Sequence, residues 1–235
     1  MVVRRLLIAG ALVFGLASSV SAVVISVPGT SNPWLAGMPN GSTASLGDVA
    51  PAQSPVEVTG LLFAPGDALR FSAVGSTDHC TGAACGLAGA EGDAIEPPTG
   101  HATGAENGIA NLVTPIDALI GVFLDAAQPS LSAAPGGLDF SASAARDFAL
   151  LAPLLKQPFF IGDGLRNDGV TVQSFLVPAG ATRLFLGTMD GYGWYSNVGD
   201  LRVTVELQGV PEPASLVLLG LALAGAGFSR RRKRH

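Results

Sequence analysis

Leu201-Arg-Val-Thr-Val-Glu-Leu-Gln208 alternates apolar and polar residues without a break. Leu201, Val203, Val205 and Leu207 fall on one face of an extended chain, and Arg202, Thr204, Glu206 and Gln208 on the other. That period of two marks a strand with one buried and one wet face. Just upstream, Thr182-Arg-Leu-Phe-Leu186 predicts a more buried strand. Residues 170–177, closed by Pro178-Ala-Gly180, predict another, and Pro158-Phe-Phe-Ile161 a short one. Between these two, Asn167-Asp-Gly169 is a turn signal. Earlier, residues 56–63 and 68–74 flank Pro65-Gly-Asp67 and read as a hairpin. Residues 118–124 predict a further apolar strand, and residues 144–155 a short helix ending near Lys156. Residues 80–111 lack a period and read as a long surface excursion. Short strands, frequent turn signals and little helix predict an all-β fold, an antiparallel β-sandwich.

The two ends of the chain are of a different kind. Arg4 and Arg5 precede an apolar run from Leu6 to Ala17, and Ser18-Ser-Val-Ser-Ala22 follows. A charged start, a short apolar stretch and a small-residue exit predict an export signal over residues 1–22, cut after Ala22 by signal peptidase. At the other end, Val210-Pro-Glu-Pro213 precedes an apolar run from Ala214 to Phe228 and the basic cluster Arg230-Arg-Arg-Lys-Arg234. As a helix the run would be about 22 Å long, a short span whose basic end stays on the cytoplasmic side. Pro211, Glu212 and Pro213, the apolar run and the basic end together resemble the PEP-CTERM sorting signal of Gram-negative bacteria. The resemblance implies recognition by an exosortase and cleavage near the Pro-Glu-Pro. It also implies passage from an inner-membrane intermediate to the cell surface or extracellular matrix. The membrane would be engaged only through residues 210–235, before processing. Both terminal segments are expected as helices outside the core.

Between the ends lies one expected domain, residues 23–209, long enough for a sizeable core. Its charge differs from that of the whole chain. Of 13 Lys and Arg, two lie in the signal and five in the tail, whereas of 18 Asp and Glu only Glu212 is lost. The body therefore carries six basic and 17 acidic residues and is near −11, against −5 for the full chain. Such a body is ill suited to nucleic acid or anionic lipid. The two cysteines, Cys80 and Cys85, are close enough to predict a disulfide closing a small loop outside the cytoplasm. His79 and His101 leave a zinc site as the alternative, although the spacing fits no common zinc pattern.

No Gly-x-Ser-x-Gly, phosphate loop or His-Glu-x-x-His occurs, so no catalytic residue is assigned. Residues 163–169 suggest a calcium loop, but Leu165 falls where an oxygen is needed, and a turn is the better reading. The richest segment is Gly187-Thr-Met-Asp-Gly-Tyr-Gly-Trp-Tyr-Ser-Asn-Val-Gly199. It joins two expected strands and carries Asp190, Ser196 and Asn197, oxygen donors suited to calcium. It also holds Tyr192, Trp194 and Tyr195, three of the chain's four Tyr and Trp residues. Aromatic faces of this kind stack on sugar rings. The simpler alternative is a hairpin loop capped by aromatics, with Asp and Asn as turn formers.

Residues 175–190, this loop and Gly199-Asp-Leu-Arg-Val-Thr-Val205 are similar to the galactose-binding-like, jelly-roll type of β-sandwich. Within that type they resemble the calcium-dependent galactose-binding bacterial lectins. The resemblance implies calcium held by Asp190, the Trp194 carbonyl, Ser196 and Asn197, with Ser196 standing where an amide is expected. It implies a galactoside or exopolysaccharide ligand at Asp190, Tyr192, Trp194 and Asn197. The expected function is that of a non-enzymatic surface or matrix protein binding calcium and carbohydrate. The alternative is a structural biofilm or matrix protein without a small ligand.

Overall fold

The computed structural model describes residues 21–208. The expected export signal apart from Ser21 and Ala22, the sorting motif Pro211, Glu212 and Pro213, and the apolar run 214–228, with the helices expected at both ends, lie outside the described residues. Among the described residues no helix is long and apolar enough to cross a membrane.

The fold is all-β, as the alternating segments require. Two sheets carry it. The first holds five strands in the order Ala22–Pro28, Val198–Leu207, Ala68–Asp78, Ser174–Leu176 and Leu150–Leu151. Its pairs are antiparallel except the last, which is parallel. The second holds Phe159–Phe160, Leu119–Leu124, Arg183–Thr188 and Val56–Glu57, antiparallel throughout. Two smaller ladders, Thr43–Ala44 with Asp48–Val49 and Thr99–Gly100 with Leu112–Thr114 and Leu138–Asp139, accompany them among the described residues.

The alternation at residues 201–207 does what its period demands. Leu201, Val203 and Val205 are fully buried, while Arg202 is exposed. Leu119–Leu124 is buried along its whole length, which explains why it reads as a continuous apolar run. Aromatic rings bridge the two sheets. Phe71 meets Phe175 edge-on at 5.0 Å, Phe175 meets Phe159 at 5.6 Å, and Phe159 stacks on Phe123 at 5.3 Å. Burial of these side chains is the main source of stability, about 1.5–3 kcal/mol each.

Four local expectations change. Pro65-Gly-Asp67 is a turn but not a hairpin, because Val56–Glu57 pairs with Arg183–Thr188 in the second sheet while Ala68–Asp78 belongs to the first. Of residues 170–177 only Ser174–Leu176 is strand, and Leu165 and Val172 form an isolated bridge. The helix at 144–155 is one turn, Ser143–Arg146. Pro153, lacking an N–H, denies the next turns a hydrogen bond and crowds the carbonyl four residues back. The excursion at 80–111 is not confined to the surface, for Ala90, His101, Ile109 and Ala110 are buried.

Candidate functional site

The segment 187–199 is a crossing between sheets rather than a hairpin. It leaves Arg183–Thr188 in the second sheet and enters Val198–Leu207 in the first. Both departures need glycine. A Cβ at Gly187 would lie 2.5 Å from the Ser31 carbonyl oxygen, and one at Gly199 would collide with the Ser76 carbonyl oxygen. Between them, Gly193 takes a left-handed conformation and starts the short 3-10 turn Trp194–Ser196.

The crossing is held from beneath by a residue the sequence did not single out. Asp48 is fully buried and accepts from the Trp194 N–H at 3.1 Å, the Tyr195 N–H at 3.0 Å and the Asn32 side-chain amide at 2.9 Å. Burial raises its carboxyl above the usual range, and the Asn32, Tyr195 and Trp194 bonds oppose that rise. The Trp194 ring is fully buried and its indole N–H donates to the Thr188 carbonyl at 2.9 Å. Trp34 lies 5.6 Å from it, and His101 stacks on Trp34 at 3.9 Å. His101 is fixed by Glu106 and Thr103 at 2.7 and 2.8 Å, and burial lowers its pKa. The Trp194 ring therefore packs in the core, closed to solvent, whereas Tyr192 and Tyr195 are exposed.

Asp190 and Asn197 stand at the two ends of the crossing, each only 5% exposed. Asp190 Oδ1 accepts the Tyr192 N–H at 3.3 Å, and the Asn197 side-chain amide donates to the Gly29 carbonyl at 3.2 Å. Asp190 Oδ2 and Asn197 Oδ1 have no hydrogen-bond partner among the described residues. Burial, the largest cause, pushes the Asp190 carboxyl up to about 6, against the opposing pull of the nearby Asn197 amide and the Tyr192 and Gly191 N–H groups. The Ser196 hydroxyl donates to the Gly193 carbonyl at 3.1 Å, and the Trp194 carbonyl accepts the Asn197 N–H at 3.1 Å. Both oxygens keep lone pairs beyond these bonds. A set of carboxylate, amide, hydroxyl and carbonyl oxygens fits a hard cation such as calcium.

Beside this set is an open pocket of about 360 Å³. Asp190, Tyr192 and Ser196 of the crossing line it together with His79, Cys80 and Thr81 of the disulfide loop. Cys80 and Cys85 form the expected disulfide. His79 Nδ1 lies 2.8 Å from Asp117 Oδ2. Burial works against the charged imidazole, but the Asp117 bond and charge, with Asp190 and Asp78, outweigh it and raise the His79 pKa. Asp117 is fully buried, has φ 65°, and its carboxyl is pushed up to about 6 by burial against the opposing pull of His79. Its Oδ1 has no partner among the described residues. A buried carboxylate on a left-handed non-glycine backbone costs about 1–3 kcal/mol in strain, a cost that clusters at functional sites. The sequence offered no signal for Asp117, which sits in the unpatterned stretch Thr114-Pro-Ile-Asp117.

Comparison with known proteins bears on the chain's end. Residues 209–233 match the family model described as the PEP-CTERM protein-sorting motif. The match supports an exosortase substrate, exported and sorted to the cell surface. No curated protein matches the chain.

Proposed function

We propose that the exported body binds calcium at the 187–199 crossing and, through it, carbohydrate in the adjoining pocket. The observation that carries this reading is the pair of buried acceptor oxygens, Asp190 Oδ2 and Asn197 Oδ1, without partners among the described residues. Each unmade bond costs about 1–3 kcal/mol, and a cation between acceptors removes that cost. The Trp194 carbonyl and Ser196 add two oxygens, and water and sugar hydroxyls complete a coordination shell of six to eight. Tyr192, exposed at the pocket, offers a face on which a sugar ring stacks. No step of bond making or breaking is assigned, and the ligand is a surface or matrix polysaccharide.

Thermal melting tests the reading. Calcium at about 100 times its Kd adds about 2.7 kcal/mol, which for a body this size raises Tm by about 5–10 °C. Asp190→Ala abolishes the rise, and unchanged melting of the wild-type protein in calcium would sink the metal claim. The second reading, a structural matrix protein without a small ligand, draws support from Trp194, whose ring serves packing alone. A glycan array probed with calcium present separates the two.

A further inference from the structure

We propose that the Cys80–Cys85 disulfide is a redox-controlled wall of the pocket: closed, it fixes the side that faces Asp190, and opened by a thiol reductant, it weakens binding there. The inference rests on the reading of the 187–199 crossing as a calcium site for its affinity readout, though not for its structural one.

Strand Ala68–Asp78 ends opposite Val198, the first residue of the strand that follows the crossing. The chain then loops out and returns, with Thr77 and Ala88 exchanging backbone bonds of 2.9 and 2.8 Å at its base. Asp78, fully buried, accepts the N–H groups of Cys80, Cys85 and Gly86 at 2.6, 3.1 and 2.6 Å. The carboxylate thus anchors the two feet of the loop, and the disulfide ties them to each other. Beyond the feet, the turn Thr81–Ala83 is held by one backbone bond, from the Ala83 N–H to the Cys80 carbonyl. It also runs through left-handed Gly82 and Ala83. His79, Cys80 and Thr81 are the residues this loop contributes to the pocket.

The loop is wired to the opposite side. His79 bonds Asp117, and the Asp117 N–H donates to the Met189 carbonyl at 2.7 Å, one residue before Asp190. Cys85 is exposed, so a small thiol can reach the bond. Reduction delivers two electrons and two protons to the two sulfurs, and the dithiol reductant leaves as its own disulfide. Asp78 keeps the strand end in place, so the sheets persist. Thr81 and the turn beyond the feet lose the covalent tie that closes them, and the ordering they supplied must then come from the ligand.

The test compares the exported protein oxidised and after dithiothreitol, by hydrogen exchange and by calcium titration. Reduction is expected to speed exchange in residues 79–86 and 190–197, leave residues 119–124 and 201–207 protected, and weaken calcium binding about tenfold. The Cys80→Ala/Cys85→Ala double variant should match the reduced protein and ignore dithiothreitol. Unchanged exchange at 190–197 on reduction overturns the proposal, as does loss of protection throughout, which would make the disulfide a support of the whole fold. An oxidised protein indifferent to calcium removes the calcium reading alone, and the exchange comparison still decides the wall.

Discussion

Asp190 holds a carboxylate where the protein by itself gives it little reason to be charged. Its carboxyl titrates near 6 in the folded chain, against an ordinary value of 3.8. A raised carboxyl binds its proton more tightly folded than unfolded, so stability falls as pH rises from about 4 to about 6. With calcium chelated, Asp190→Asn should therefore stabilise the protein at pH 7.5 by about 1–3 kcal/mol, since each pKa unit is worth about 1.4 kcal/mol. The same variant should lack the calcium-dependent rise in Tm. Denaturant titrations across pH 4 to 7.5, with chelator and with calcium, measure both effects. A variant less stable than wild type in chelator would mean that the charge is already compensated inside the fold. Gaining stability while losing the ligand is the pattern of a residue kept for binding. Trp194 belongs to the opposite class. Its indole bond to Thr188 and its packing against Trp34 make it a core residue in a loop.

The crossing is an element built by a distant partner. Asp48, 142 residues before Asp190 in sequence, supplies the acceptors for two consecutive N–H groups of the 3-10 turn. Asp48→Ala leaves those donors and the Asn32 amide buried without it. It should cost about 3 kcal/mol in urea unfolding and blunt the calcium response, because Trp194 and Ser196 lose their fixed positions. A loss below about 0.5 kcal/mol would place the restraint elsewhere. This dependence also explains what could be read from sequence. The strand at 201–207 and the run at 119–124 follow from periods of two and one, which the local chain fixes. Asp190, Ser196 and Asn197 were visible because they are neighbours in sequence. The sheet to which each strand belongs was not visible, so 187–199 and Pro65-Gly-Asp67 read as hairpins when both pass between sheets. Asp48 and Asp117 act across the fold, and no local pattern marks them, while His79 was visible only as a neighbour of the cysteines and its bond to Asp117 was not. The lectin-type ligand set drew on resemblance, and Ser196 departs from it at the position where an amide is expected.

At the scale of the molecule, the site and the described chain ends occupy opposite ends of one sheet. Ala22 pairs with Glu206, and the Leu207 N–H donates to the Ser21 carbonyl, so entry and exit lie side by side. Asn197 and Asp78 sit at the far end of the same two central strands. Val198–Leu207 spans about 30 Å at about 3.4 Å per residue. A cut after Ala22 leaves Val23 to Pro28 as an intact edge strand. The last described residues, Ser21 and Gln208, therefore lie about 30 Å along the strands from Asn197. Replacing everything after Gln208 by a folded reporter domain should leave the calcium-dependent rise in Tm within about 1 °C of that of the uninterrupted protein. Inserting four glycines between Gly191 and Tyr192 should abolish it, since the added chain separates Asp190 from Asn197 without touching either sheet. Loss of the response in the reporter fusion would show that the chain end reaches the site. Retention of the response by the insertion would remove the crossing as the place where calcium binds. A sheet that puts Ser21 and Gln208 at one end and Asp190 and Asn197 at the other lets the chain beyond Gln208 be exchanged without touching the proposed site.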